Sequence, residues 1–221
     1  MKTSYKLLIA FAGFLVLLML IANSVMWANF KRGYSGKGPI TMEVNKPRAG
    51  LDLKPFKVLV LEGPRDSHLP VIKADKNVVV FREDQNGKFM YSYHNDTLFL
   101  NLNKHNVSVL ECTDVTDVIL KEGSVFLQQF NQPVLNVLAK EGCGIHIIDV
   151  QLGKLAVSGG AGCELKIEGD YSKVDSLQVA LGKNSAVESY NVPYNDVQMD
   201  IETLAVFRME GISAASIKKI R

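Results

Sequence analysis

Cysteine is scarce: three residues in a chain of 221. A small domain stapled by disulfides is therefore excluded, and the core must come from apolar packing. Net charge is also nearly absent, with 25 basic against 23 acidic side chains. A protein that holds nucleic acid by bulk charge needs a larger basic excess. Motifs for phosphate binding and nucleophilic catalysis are missing too. Ser158-Gly-Gly-Ala-Gly162 lacks the lysine and hydroxyl of a phosphate-cradling loop, and Gly182-Lys183 is followed by Asn184 instead of Ser or Thr. No Gly-x-Ser-x-Gly elbow occurs. The histidines, at positions 68, 94, 105 and 146, show no spacing that suggests a triad.

The chain does have 47% hydrophobic and 22% charged residues, a composition that folds. Its small net charge is an average over unlike segments: +2 over residues 1–27, +4 over 28–55 and −4 over 56–221. Leu7 to Trp27 is 21 residues without a charge, 18 of them apolar. At about 1.5 Å of helical rise per residue, such a run spans the hydrocarbon core of a bilayer. Tyr5 and Trp27 stand at its ends, where amphipathic rings favour the membrane interface. Residues 1–27 are accordingly expected to be a short tail and a single transmembrane anchor. Lys2 and Lys6 before an apolar run also describe a signal peptide, with Ala22-Asn23-Ser24 as a cleavage site. The apolar Val25-Met26-Trp27 that follows favours an uncleaved anchor. Positive charge lies on both sides of the span, so orientation rests on size: a six-residue tail stays inside more readily than a large head. The expected location is a bacterial inner membrane with the head in the periplasm. Export after cleavage is the alternative.

Residues 28–55 read as a basic linker, interrupted by glycine and proline and without apolar periodicity. From residue 56 to 221 the pattern is β. Val58–Leu61 and Val78–Phe81 are short β-branched runs. Asn86-Gly87 between Val78–Arg82 and Lys88–Tyr93 predicts a hairpin. His94-Asn95-Asp96-Thr97 then turns the chain into the alternating Leu98–Leu102. The head is thus expected to open as an antiparallel meander.

The second half repeats. Leu135-Asn-Val137, Leu155-Ala-Val157 and Leu177-Gln-Val179 are each followed, at the same distance, by a small-residue corner and a second alternating run. Met199-Asp-Ile201 opens a looser copy, giving steps of 20, 22 and 22 residues, and a degenerate copy around Val118 and Gly123-Ser124 precedes them. One such unit cannot bury its apolar faces. Stacked units pair like strands in parallel and share one core, as in a β-solenoid. Gly142 and Gly162 would supply the corners. The expected fold is all-β: antiparallel opening strands leading into a parallel β-helix (β-solenoid), preceded by one N-terminal transmembrane helix. The charged Ser216–Arg221 tail would discourage addition of another chain to the last edge.

The spacing Leu-x-Val-x-Gly-x-x-Gly-x-x-Leu-x-Ile-x-Gly over Leu155–Gly169 resembles the repeats of the head GIN domain family. These are bacterial cell-envelope proteins regarded as candidate auto-transporter adhesin heads. The run Tyr91 to Leu100 is similar to the strand–turn–strand that precedes those repeats. The resemblance covers about residues 56–216. It implies an envelope location and a parallel β-helix, and it supplies no catalytic residues. Asn184 and Phe207 stand where the family pattern has small residues, which puts the regularity of the last turns in question.

Among residues with chemistry, Cys143 and His146 invite a metal reading. Positions three apart on a strand face opposite sides, so the two do not chelate one ion, and no metal or cofactor is expected. Cys143 and Cys163 occupy equivalent places in successive units and are candidates for a disulfide, with Cys112 left over. His146, Lys166 and Glu188, with Glu210 next, are expected to form an outward ladder facing a ligand. Asn136, Ala156, Gln178 and Asp200 would form another. Asp96-Thr97-Leu98 and Asp175-Ser176-Leu177 match an O-glycosylation pattern of some envelope proteins. The function expected is a membrane-anchored interaction or adhesion module without catalysis, with a protein or glycan partner and no nucleic acid. The alternatives are a carbohydrate-active β-helix acting through Lys166 or Glu188, and a membrane-bound sensor or regulatory subunit.

Overall fold

The computed structural model describes residues 50–81, 91–102 and 107–215, together with Met19 and Asn23. The chain divides into two units, Met1–Pro47 and Arg48–Arg221, and all the strands belong to the second. No helix among the described residues is long and apolar enough to cross a membrane. The Leu7–Trp27 span with its flanking Tyr5, the Asn86-Gly87 turn and the Ser216–Arg221 tail lie outside those residues, Met19 and Asn23 excepted.

Seventeen strands are described. The first seven are β1 (Gly50–Asp52), β2 (Val58–Glu62), β3 (His68–Lys73), β4 (Val78–Phe81), β5 (Tyr91–His94), β6 (Thr97–Asn101) and β7 (Val107–Cys112). Five consecutive solenoid turns follow, each a pair of strands: β8 (Asp117–Leu120) with β9 (Ser124–Gln128), β10 (Asn131–Ala139) with β11 (Gly144–Ile148), β12 (Gln151–Gly159) with β13 (Glu164–Glu168), β14 (Lys173–Leu181) with β15 (Ser185–Tyr190), and β16 (Tyr194–Ile201) with β17 (Leu204–Glu210). The strands form two sheets. Sheet A runs β1-β4-β7-β3-β9-β11-β13-β15-β17 and sheet B runs β16-β14-β12-β10-β8-β2-β6-β5. Within the five turns every pairing is parallel.

The inward ladders explain the stack. Leu135, Leu155 and Leu177 stand in register and are all fully buried, as is the Ile145–Leu165–Val187 series across the core to within 1%. Each buried aliphatic side chain stabilises the fold by about 1.5–3 kcal/mol relative to exposure, and alternation sends every second residue of each strand inward. Corners are set by left-handed backbone. Gly123, Gly142, Gly162 and Asn184 have φ of 86°, 68°, 67° and 56° on the way from sheet B to sheet A. On the return, Gln129, Asp149, Gly169 and Asn191 have φ of 61°, 53°, 113° and 56°, and Gly211, before the final helical turn, has 62°. Asn184 therefore does the work of a glycine, because asparagine tolerates this region. The irregularity of the last turn lies instead in a register shift between Ser185 and Ala186.

Three expectations need correction. The described parts of the expected hairpin do not pair with each other, since β4 joins sheet A and β5 joins sheet B. Nor is the opening region simply an antiparallel meander. β2 pairs in parallel with both β6 and β8, and β3 with both β7 and β9, so β2/β3 and β6/β7 are two further layers of the solenoid. The chain lays down β2/β3 first, adds β6/β7 outside it, then crosses back to β8/β9. Among the described strands only β1, β4 and β5 pair antiparallel, and they close that end of the stack. The His94–Thr97 turn does form, with Asn95 at φ 55°. Lastly, Leu177 pairs with Val197 and Val179 with Met199, so the third repeat step is 20 residues, not 22. The offset of two preserves which face each side chain takes.

At the other end, β16 and β17 pair with no further strand among the described residues. A helical turn, Ile212–Ala215, folds back beside β15 and β17. Its Ser213 is fully buried. The Ser213 hydroxyl accepts hydrogen bonds from the Val192 backbone N–H at 2.7 Å and from the Ser189 hydroxyl at 2.9 Å. Ser189 in turn meets the Tyr194 hydroxyl at 2.7 Å. Burial pushes the Tyr194 phenol up to about 12.

Candidate functional site

Parity along each strand sends alternate residues to solvent, and parallel registration lines them up as columns. On sheet A one column runs Pro70, Phe126, His146, Lys166, Glu188 and Arg208. The expected ladder of His146, Lys166 and Glu188 is thus real in register, but its next member is Arg208. Glu210 pairs with Tyr190. On sheet B the Asn136–Ala156–Gln178 column continues to Gln198, and Asp200 belongs beside Ala180. Both differences follow from the shorter third step.

The sheet A column is internally satisfied. The Phe126 and His146 rings stack at 4.5 Å with planes 23° apart, and His68 meets Phe126 edge-on at 6.1 Å. Lys166 pairs with Glu168 at 2.8 Å and lies over the Tyr190 ring at 5.5 Å. Tyr190 donates its hydroxyl proton to Glu188 at 2.7 Å and accepts from Arg208 at 3.2 Å, while Arg208 pairs with Glu210 at 3.7 Å. The hydrogen bond to Glu168 holds the Lys166 ammonium above its ordinary pKa. Partial burial, with the Lys166 charge as the next cause, lowers that of His146. The aromatic faces are turned towards one another along the column, so edges rather than faces are offered outwards.

Sheet B carries a feature that no sequence pattern indicated. Its outer face includes a column of Ser92, Phe99, Val60, Ile119 and Leu138, four apolar residues in succession where outward positions elsewhere are mostly polar. Val60 is only 6% exposed although it faces outwards. Beside this column is a cleft of about 240 Å³ lined by Val60, Glu62, Tyr91, Ser92, Phe99, Leu100, Asn101 and Lys121. Lys121 pairs with Glu62 across it at 3.0 Å, both side chains being half-exposed. The cleft draws on β2, β5, β6 and the end of β8, which are distant in sequence and neighbours only because the chain doubles back. Nothing short of the topology would have shown it.

The cysteines are placed as parity required. Cys143 and Cys163 point inwards on adjacent turns, Cys112 is buried elsewhere in the core, and all three are free thiols. The Cys163 thiol lies 3.0 Å from the Lys140 carbonyl. His146 is on the opposite face of its strand from Cys143, and no group of metal-binding side chains occurs among the described residues. Burial pushes the Cys112 thiol up to about 12 and raises those of Cys143 and Cys163.

No protein-family model matches the chain, and no curated protein matches it. Among solved structures it is similar to a candidate adhesin from Bacteroides fragilis, at 12% identity and a TM-score of 0.45, over 74% of this chain and 92% of that one. The fold itself stands on the strand pairing described above.

Proposed function

We propose that this chain is a membrane-anchored, envelope-exposed β-solenoid that binds a partner without changing it chemically. The observation that carries this reading is the set of in-register outward columns, which present a long, flat, preorganised surface of the kind solenoids use for extended ligands. The charges on the sheet A column neutralise each other in pairs. A lyase acting through Lys166 would need that amine lowered towards neutrality so that it could take a proton. Glu168 moves it the other way. Binding is therefore favoured over the carbohydrate-active alternative at this face.

The anchor reading rests on Leu7–Trp27, with Tyr5 and Trp27 at the interfaces, and the kinship reading on the head GIN domain resemblance of Leu155–Gly169. The proposed location is a bacterial inner membrane with the head in the periplasm, and the partner is an envelope glycan or protein. Protease added to spheroplasts tests the location. Digestion of the head without lysis is the expected result, and protection until lysis would sink the envelope reading.

A further inference from the structure

We propose that the cleft on the outer face of sheet B binds one neutral pyranose unit of a glycan. This rests on the binding-module reading above and names its ligand class. Phe99 is the centre of the argument. In its column, one neighbour is Val60, which is 6% exposed and forms an apolar floor. The other is Ser92 on the edge strand β5, whose side chain is too short to cover a phenyl ring. Phe99 and Ser92 both line the cleft there. A pyranose presents axial C–H bonds on one face and matches a phenyl ring in size, so it can pack against Phe99. This differs from the sheet A column, where Phe126 and His146 cover each other.

The rim supplies what a ring of hydroxyls requires. Each hydroxyl both donates and accepts. Around Phe99 stand the Glu62 carboxylate as acceptor, the Lys121 ammonium as donor, and the Ser92 hydroxyl as both. Apolar walls with a few convergent polar groups are the general character of small-ligand sites. Charge then narrows the choice. Glu62 and Lys121 already neutralise each other at 3.0 Å. A carboxylated or phosphorylated sugar would have to break that pair, whereas a neutral one hydrogen-bonds to both of its members. Size narrows it further, since about 240 Å³ lies below the roughly 300–1,000 Å³ of sites for drug-sized ligands. One ring fits, and the adjoining units of a glycan lie outside.

The test is saturation-transfer NMR on the full chain in deuterated detergent, with the methyl pyranosides of glucose, galactose, mannose and N-acetylglucosamine offered singly. At least one should receive saturation at its ring C–H protons, with an affinity of about 1 mM, as expected for few contacts. Phe99→Ala removes the platform. Ser92→Trp places an indole in the cleft beside Phe99 from an exposed position and leaves the core alone. Each should weaken binding tenfold or more while the circular dichroism spectrum stays β-rich. Transfer to none of the four sugars, or binding that survives both substitutions, would overturn the proposal. A chain that ignores all four yet is still retained by isolated envelope material would overturn the cleft assignment alone and leave the broader reading standing.

Discussion

Asn184 occupies the same corner of the solenoid as Gly162 one turn away, with φ of 56° against 67°. The amide N–H of Gly162 donates to the Lys183 carbonyl at 2.8 Å, tying the two corners together. Corner geometry in this protein is thus a property of the backbone, and the residue need only tolerate it.

Gly142 offers the cleanest test of that statement. Its φ is 68°, yet a Cβ placed there would meet nothing within 4 Å. Gly142→Ala should therefore cost about 1–2 kcal/mol from the left-handed conformation alone. Gly142→Asn should cost clearly less, because asparagine already serves at position 184. Urea unfolding of both variants separates the two, and equal losses would mean that sterics, not φ, govern the corner.

The C-terminal turn is fastened by a small polar network. Ser213→Ala leaves the Val192 N–H and the Ser189 hydroxyl without their acceptor in a buried setting. A loss of about 1–3 kcal/mol is expected from stranded buried donors. Tyr194→Phe removes one partner of Ser189 and should cost less, about 1 kcal/mol. Chemical denaturation of both variants measures the order.

His146 makes stability depend on pH. Its pKa is lowered in the folded protein by partial burial, with Lys166 adding repulsion that Glu168, Glu164 and Glu188 offset. The unfolded chain therefore takes up the proton first. Stability is full above the unfolded value of about 6.5 and declines as pH falls through the folded one. The melting temperature should drop as pH falls below about 6.5, and this component of the drop should vanish in His146→Gln.

The three thiols should be inert in the native state. All are buried with raised pKa, so little thiolate forms near neutrality. Alkylation without reductant, read by mass spectrometry, should label none of them natively and all of them in denaturant. A pair at Cys143 and Cys163 that resists labelling even when denatured would reveal a disulfide between the two turns.

Much of the solenoid was legible because parallel stacking repeats its requirements. Leu135, Leu155 and Leu177 recur with their corners, and a period of two tells inward from outward without any knowledge of partners. That is why Cys143 and His146 could be assigned to opposite faces. What escaped was register and order. A shift of two residues leaves every side chain on its proper face, so Glu210 was a natural continuation of the His146 ladder where Arg208 stands. Strands such as Val58–Glu62 alternate in the same way whether their neighbours run parallel or antiparallel. Their place between β6 and β8 is decided by contacts far along the chain. The sheet B cleft inherits that difficulty, since Glu62, Phe99 and Lys121 meet only after the chain has doubled back.

The central claim is binding without turnover. Its most direct test is to incubate the full chain in detergent with isolated bacterial envelope material, measure retention as a function of protein concentration, and analyse the soluble fraction by mass spectrometry. Saturable retention with no new soluble fragments is the predicted result. Absence of retention, or release of cleaved glycan or peptide that depends on the chain, would contradict it.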